Sequence, residues 1–275
     1  MGECSHNCSE CADRKSGKCN GGHDFKVAPN AGSNVQRMIA VMSGKGGVGK
    51  SLVTEMLAVA AAKRGLKTAV MDADVTGPSI PTAFGVTERA VADGKGGILP
   101  CRSMGGIGMM SLNLLVDNPA APVVWRGPVI AGAVKQFWSD VAWGDVDVMF
   151  VDMPPGTGDV PLTVFQSLPI AGVVVVTSPQ DLVSLIVEKA VRMADMMKVP
   201  VLGLVENMSS FKCPDCGKVH RIFGDGKARE MAERHGIGAF VSLPIDPEIA
   251  AAVDQGRIEY VDTSAIDPML DACLG

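Results

Sequence analysis

Between an apolar run, Met38-Ile39-Ala40-Val41-Met42, and a helical pattern from Leu52 to Arg64, the chain reads Gly44-Lys45-Gly46-Gly47-Val48-Gly49-Lys50-Ser51. Strand, glycine-rich loop and helix in this order constrain the fold more than any other feature. The spacing is G-x-x-x-x-G-K-[ST], and the flanks are those the motif needs. Glycines let the backbone curl until several N–H groups face one anion, and the start of the helix adds partial positive charge. Gly44, Gly46, Gly47, Val48, Gly49, Lys50, Ser51 and Leu52 are therefore candidates for holding a nucleoside triphosphate. Lys50 would sit on the β- and γ-phosphates, and the Ser51 hydroxyl would ligate Mg²⁺. A glycine-rich turn without a ligand is the plainer alternative, and the flanks speak against it.

The rest of the chain extends that strand–loop–helix unit. Apolar runs at 37–42, 67–72, 108–112, 146–152, 171–177, 201–206 and 239–243 alternate with helical patterns at 50–64, 127–142, 158–167, 181–197, 226–235 and 247–255. Gly172-Val173-Val174-Val175-Val176-Thr177 is apolar along almost its whole length, as a strand buried on both faces must be. The expected fold class is α/β, a doubly wound, mostly parallel sheet flanked by helices. Residues 85–107 are Gly-rich and weakly periodic, and are expected to form a surface excursion. Only 4% of the 275 residues are aromatic while 47% are hydrophobic, so the core must be built from small and medium aliphatic side chains. That suits a buried parallel sheet.

Residues 1–34 differ from everything after them. They carry Cys4, Cys8, Cys11 and Cys19 among Gly, Ser, Asn, Lys and His, with too few apolar residues to form a core. The expected division is a flexible Cys-rich tail at 1–34 and one domain at 35–275. The net charge of −5 and the absence of a long basic block disfavour nucleic acid as a partner. No apolar run reaches the length of a membrane span. The opening Met1-Gly2-Glu3-Cys4 is not an apolar leader, and the expected location is cytoplasmic. Eight cysteines in that setting suggest metal or redox chemistry before structural disulfides.

Two further acid-tipped strands belong with the glycine loop. Val146 to Asp152 is a buried run ending in an acid, and Asp152 would hold Mg²⁺ through water. The segment Met153-Pro154-Pro155-Gly156-Thr157-Gly158-Asp159 follows, suited to a switch loop beside a γ-phosphate. Val70-Met71-Asp72-Ala73-Asp74 ends in two acids, of which one would orient the attacking water and the other would contact Mg²⁺ or its water shell. Helix capping is the bland alternative for each acid, and is strongest for Asp159.

Cys213-Pro214-Asp215-Cys216-Gly217 places two thiols at metal-ligand spacing. One pair gives two ligands, where Zn²⁺ or an iron–sulfur cluster usually takes four. The tail would supply the others, or a second subunit would; a two-fold dimer brings two copies of the pair face to face. A redox dithiol and a zinc knuckle, with His220 as a further ligand, are the competing readings. The tail cysteines, spaced C-x₃-C-x₂-C-x₇-C with His6 and His23 nearby, can hold one metal or cluster by themselves. Cys101 and Cys273 stand alone and read as ordinary small residues.

Taken together the motifs resemble one family. Lys-Gly-Gly-Val-Gly-Lys-Ser, with its early lysine Lys45, resembles the deviant phosphate loop of the MinD and ParA ATPases. Asp72 to Ser79, Trp125-Arg126-Gly127-Pro128, Asp152 to Asp159, Glu206-Asn207-Met208-Ser209 and the Cys213/Cys216 pair followed by Phe223-Gly224 narrow the resemblance to the Mrp/ApbC/Nbp-type iron–sulfur cluster carriers. It covers about residues 35–260. It implies ATP with Mg²⁺ as the nucleotide and slow hydrolysis in a homodimer. Lys45 would reach across to the partner's phosphates, Asp74 would position the water and Asn207 would read the adenine edge. Cys213 and Cys216 from two subunits would bridge one [4Fe–4S] cluster for transfer to apo iron–sulfur proteins.

The chain also departs from that family. Many bacterial relatives have an extra N-terminal domain of about a hundred residues, which is not expected here. The tail is similar in idea to the Nbp branch, with different cysteine spacing, so a second cluster there is an open reading. Residues 262–275 are acidic and lack the basic amphipathic membrane helix of MinD relatives. A MinD/ParA-like positioning ATPase and a zinc-stabilised regulatory ATPase are the alternative functions.

Overall fold

The computed structural model describes residues 26–75, 77, 79–116, 127–180 and 183–275. Cys4, Cys8, Cys11, Cys19, His6 and His23 lie outside the described residues, as do Thr76, Pro78, Trp125 and Arg126.

Eight strands form one sheet. They are β1 (Ser33–Ser43), β2 (Thr68–Asp72), β3 (Cys101–Arg102), β4 (Gly108–Met110), β5 (Gly144–Asp152), β6 (Gly172–Thr177), β7 (Val201–Glu206) and, after a separate hairpin of β8 (Phe211–Lys212) and β9 (Val219–His220), β10 (Ala239–Ser242). The spatial order is β10-β7-β6-β1-β5-β2-β4-β3. All pairings in this sheet are parallel except β3 with β4. The doubly wound sheet expected from the alternation is therefore present. The 85–107 excursion ends in β3, an antiparallel edge strand too short to show a period.

The helices are α1 (Lys50–Lys63), α2 (Ile80–Ala83), α3 (Gly127–Ser139), α4 (Asp159–Ser167), α5 (Val183–Met196), α6 (Ala228–Arg234), α7 (Pro247–Asp254) and α8 (Asp267–Leu274). Strand alternation sorts the core into two layers. Met38, Ala40 and Met42 of β1 face one side, packed with α3, α4, α5 and α6 through residues such as Phe137, Phe165, Val187 and Met231. Ile39 and Val41 face the other, with α1, α2 and α8 through Leu57, Ile80 and Met269. Each such aliphatic side chain, once fully buried, contributes about 1.5–3 kcal/mol. Apolarity at every position of the central strands is the mark of these two covered faces.

Both ends of the domain extend beyond the sequence reading. β1 begins at Ser33 rather than 37, and ahead of it Val27 N–H donates to the Ser167 carbonyl while Trp138 Nε1 donates to the Val27 carbonyl. The acidic C-terminal stretch forms α8, whose Met269, Leu270 and Cys273 are buried. Arg37 Nη1 holds its end through the Leu274 carbonyl at 3.1 Å. Gly203 makes room for α8, since a Cβ there would lie 2.2 Å from Met269 Sδ. Among the described residues no helix is long and apolar enough to cross a membrane.

The winding fixes where the site lies. β2 and β5 lie to one side of β1, and β6 and β7 to the other, so the chain reverses its direction of winding at β1. Open α/β sheets bind ligands beyond the strand carboxyl ends at such a switch point. The glycine loop leaves β1 at that end.

Candidate functional site

Gly44 to Gly49 joins β1 to α1. Gly47 and Gly49 have φ of +77° and +81°, where a side chain is strained. A Cβ on Gly46 or Gly47 would meet nothing within 4 Å, so the loop's inner surface is open. One on Gly49 would lie 2.1 Å from Asn207 Nδ2. Three bonds hold the loop from behind. Ser43 Oγ donates to the Lys45 carbonyl at 2.9 Å, Asn207 Nδ2 donates to the Val48 carbonyl at 3.0 Å, and Gly156 N–H donates to the Ser43 carbonyl at 2.8 Å. The last ties the Pro/Gly segment after β5 to the end of β1.

The acids converge on the first turn of α1. Register places Asp72 beside Asp152 at the ends of β2 and β5. Lys50 Nζ lies 2.7 Å from Asp152 Oδ1 and 3.6 Å from Asp74 Oδ2, and both Lys50 and Asp152 are buried. Ser51 Oγ donates to Asp152 Oδ2 at 2.6 Å, and Thr54 Oγ1 to Oδ1 at 2.8 Å. Asp152 is thus fully engaged by one helical turn. Asp74 sits at the rim, its N–H donating to Asp72 Oδ1 at 3.2 Å. Ser111 Oγ donates to Asp72 Oδ2 at 2.9 Å.

The surroundings of two carboxyls here disfavour the charged form. Burial, then the Asp152 charge, pushes Asp72 well above the usual carboxylate range. Burial, then Asp152 and Asp72, does the same to Glu55, whose Oε2 has no hydrogen-bond partner. Glu55 was missed in the sequence because it reads as one polar residue in an apolar helix. Its signal was the spacing, four residues after Ser51 and so on the same helix face. Thr54 was missed likewise, four residues after Lys50.

On the other side of the loop, a cavity of about 180 Å³ is lined by Leu52, Met56, Asn207, Pro244, Asp246 and Ile249. Asn207 stands in its wall while its amide N–H is given to Val48. Lys45 lies on the outer side of the loop, and its Nζ donates to Gln180 Oε1 in the segment after β6.

The cysteine pair occupies the turn of the β8–β9 hairpin. Cys213 N–H donates to the Lys218 carbonyl and Gly217 N–H to the Cys213 carbonyl, each at 2.9 Å, with Gly217 at φ +69°. The N–H groups of Cys216 and Asp215, with the Cys216 thiol, hold Cys213 below the usual thiol range. Both thiols are free, Cys213 half-buried and Cys216 exposed. Among the described residues no group of three or more His, Cys, Asp or Glu is placed to hold a metal ion, so His220 does not join the pair as a third ligand. An isolated parallel bridge between Phe211 and Ile245 ties the hairpin to the segment that follows β10. Beside it, Glu206 at the end of β7 lines a cavity of about 400 Å³ with Val219, Arg221, Gly226 and Arg229. Glu206 Oε1 is buried without a partner.

Comparisons with known proteins identify the family. The sequence profile of the ParA family, described as NUBPL iron-transfer P-loop NTPase, matches residues 34–272. An iron-sulfur cluster carrier protein of Methanocaldococcus jannaschii is 41% identical over 261 residues, covering 93% of this chain and 90% of that protein. One from Clostridium perfringens is 42% identical over 266 residues, covering 92% and 93%. Among solved structures, a nucleotide-binding protein from Archaeoglobus fulgidus in complex with ADP superposes with a TM-score of 0.75 at 43% identity, over 83% of this chain and 89% of that one. The cell division ATPase MinD of Pyrococcus furiosus, at 19% identity and a TM-score of 0.60 over 86% and 96%, shares the fold. The chain belongs to the ParA/NUBPL family of iron-transfer P-loop NTPases.

Proposed function

We propose that the protein binds and slowly hydrolyses ATP as a homodimer that carries a [4Fe–4S] cluster between two copies of the Cys213/Cys216 turn. The observation that carries the reading is the hairpin itself. It presents two free thiols, one half-buried and one exposed, lowers the pKa of the first with backbone N–H groups, and has no third donor within reach among the described residues. A thiolate is the metal-binding form, so a lowered Cys213 pKa favours ligation near neutrality. Two thiolates are half of a four-thiolate cluster site, and a two-fold related copy supplies the other half. The cluster is cargo, released to apo iron–sulfur proteins.

The nucleotide half follows from the loop. Its open glycine surface fits the phosphates, Lys50 neutralises the transferring group, and the Leu52–Asn207 cavity takes the base. The Ser51 hydroxyl and the Asp152 carboxylate, paired at 2.6 Å, fit Mg²⁺ by donor type and position. The ion would supply charge neutralisation on the β- and γ-phosphates. Asp74, at the rim beside Lys50, orients the attacking water. Lys45, on the outer side, reaches the partner's nucleotide and so makes turnover depend on the dimer.

The test is anaerobic reconstitution of a Cys4/Cys8/Cys11/Cys19→Ser background with and without Cys213→Ser and Cys216→Ser. The background chain is expected to hold one [4Fe–4S] cluster per pair of chains and to pass it to an apo-ferredoxin. The double substitution is expected to keep ATP affinity and lose both. Undiminished cluster transfer by that variant, or zinc in place of iron and sulfide in the background chain, would overturn the bridging site.

A further inference from the structure

Lys45 is expected to act on a partner's phosphates, yet its ammonium is engaged within its own chain. Nζ donates to Gln180 Oε1, a contact between residues 135 apart in sequence. Topology brings the two together. β6 is the neighbour of β1, with Ser43 paired to Val176, so the segments following both strands emerge side by side. Each side of the contact is fixed at its backbone. The Lys45 carbonyl is held by Ser43 Oγ, and Gln180 N–H donates to the carbonyl of Ser178, a buried residue, at 2.8 Å. The main chain on both sides is anchored, so the lysine side chain is the part left to swing.

We propose that Gln180 is a positioning residue that keeps Lys45 in cis and thereby sets how readily the ATP-bound chain pairs with a second copy. A neutral amide suits the task. It accepts one hydrogen bond from the ammonium and offers no opposing charge, so an anionic phosphate across the interface outcompetes it. A carboxylate at the same place would hold the lysine against that competition. Every chain that pairs must first break this contact, and the fraction of chains with Lys45 released scales the apparent dimer affinity. The inference rests on the proposed role of Lys45 across the dimer, and it adds the residue that governs access to that role.

Two measurements on the full-length chain test it. The first is the acetylation rate of Lys45 in the nucleotide-free protein, followed by peptide mass mapping. It is expected to rise in Gln180→Ala and fall in Gln180→Glu. The second is the protein concentration giving half-maximal ATP turnover. It is expected to drop about fivefold in Gln180→Ala, the shift that one net hydrogen bond makes in an equilibrium constant, and to rise by a similar factor in Gln180→Glu. Opposite shifts are not produced by a residue that merely supports the loop. Unchanged acetylation in both variants overturns the contact. Changed acetylation with an unmoved midpoint, or midpoints moving the same way, overturns its control of pairing. If Lys45→Ala leaves the concentration dependence of turnover intact, the trans role itself fails and this inference falls with it.

Discussion

Lys50 and Asp152 form a buried ion pair, Nζ to Oδ1 at 2.7 Å, and the second oxygen of the same carboxylate receives the Ser51 hydroxyl. One acid at the end of β5 thus orients both Lys50 and Ser51 in the first turn of α1. Asp152→Asn keeps the shape and removes the charge. Removing one partner of a buried pair typically costs about 3–5 kcal/mol, because the other charge is left uncompensated. Thermal denaturation should register a clear drop, and phosphate release at saturating ATP should fall at least about 100-fold. A variant turning over at the wild-type rate would remove Asp152 from the mechanism.

Gly49 answers to two constraints at once. Its φ of +81° costs an alanine roughly 1–2 kcal/mol, and the added Cβ would lie 2.1 Å from Asn207 Nδ2. Gly49→Ala should therefore lower both the melting temperature and nucleotide affinity. Adding Asn207→Ala should relieve the collision and leave the backbone cost. The double variant is expected to melt above the sum of the two single losses. Strict additivity would show that the two residues do not press on each other.

The raised pKa of Glu55 carries a sign for stability. Its folded value lies well above the ordinary 4.5. Between those two values the unfolded chain binds fewer protons than the folded one, so stability falls as pH rises. The contribution is full below the unfolded pKa and is lost through the folded one. Glu55→Gln keeps a neutral group there at every pH. Urea midpoints measured from pH 5 to pH 8 should decline less steeply in this variant than in the wild type. Parallel declines would mean that the Glu55 pKa does not differ between the folded and unfolded chain.

The thiols should separate by chemistry. Burial pushes Cys273 up to about 12, and burial with the Glu88 charge raises half-exposed Cys101, whereas Cys213 is lowered. Iodoacetamide at pH 7.5, read peptide by peptide under native conditions, should label Cys213 first, Cys101 slowly and Cys273 only after unfolding. Early labelling of Cys273 would show that α8 detaches from the sheet.

What the sequence revealed of this site was written in local rules. Gly47 and Gly49 need backbone angles that few residues adopt, so their loop declares itself in eight letters. The doubly apolar strands β1, β5 and β6 declare their two covered faces in the same way. What escaped depends on residues far apart in the chain. Gln180 meets Lys45 only because β6 is laid beside β1, and Ser111 meets Asp72 only because β4 is laid beside β2. β3, β8 and β9 have two residues each, less than one period of any pattern. α8 was obscured by its acids, two of which pair with Arg64 on the surface while Met269 and Leu270 turn inward.

The end of β7 sets how near, along the chain, the glycine loop lies to the cysteine hairpin. Glu206 ends β7, and Asn207 opens the turn that follows it. Asn207 grips the loop that cradles phosphate, and Glu206 borders the cavity beside the cysteine hairpin. Met208, next in line, holds a φ of +59° that few side chains tolerate. The shortest covalent route from the nucleotide's grip to the hairpin's flank is therefore a single peptide link, about 3.8 Å between Cα atoms. One residue beyond it the chain turns toward the cysteines, so the glycine loop and the flank of the hairpin are joined through adjoining torsions and not through the breadth of the domain.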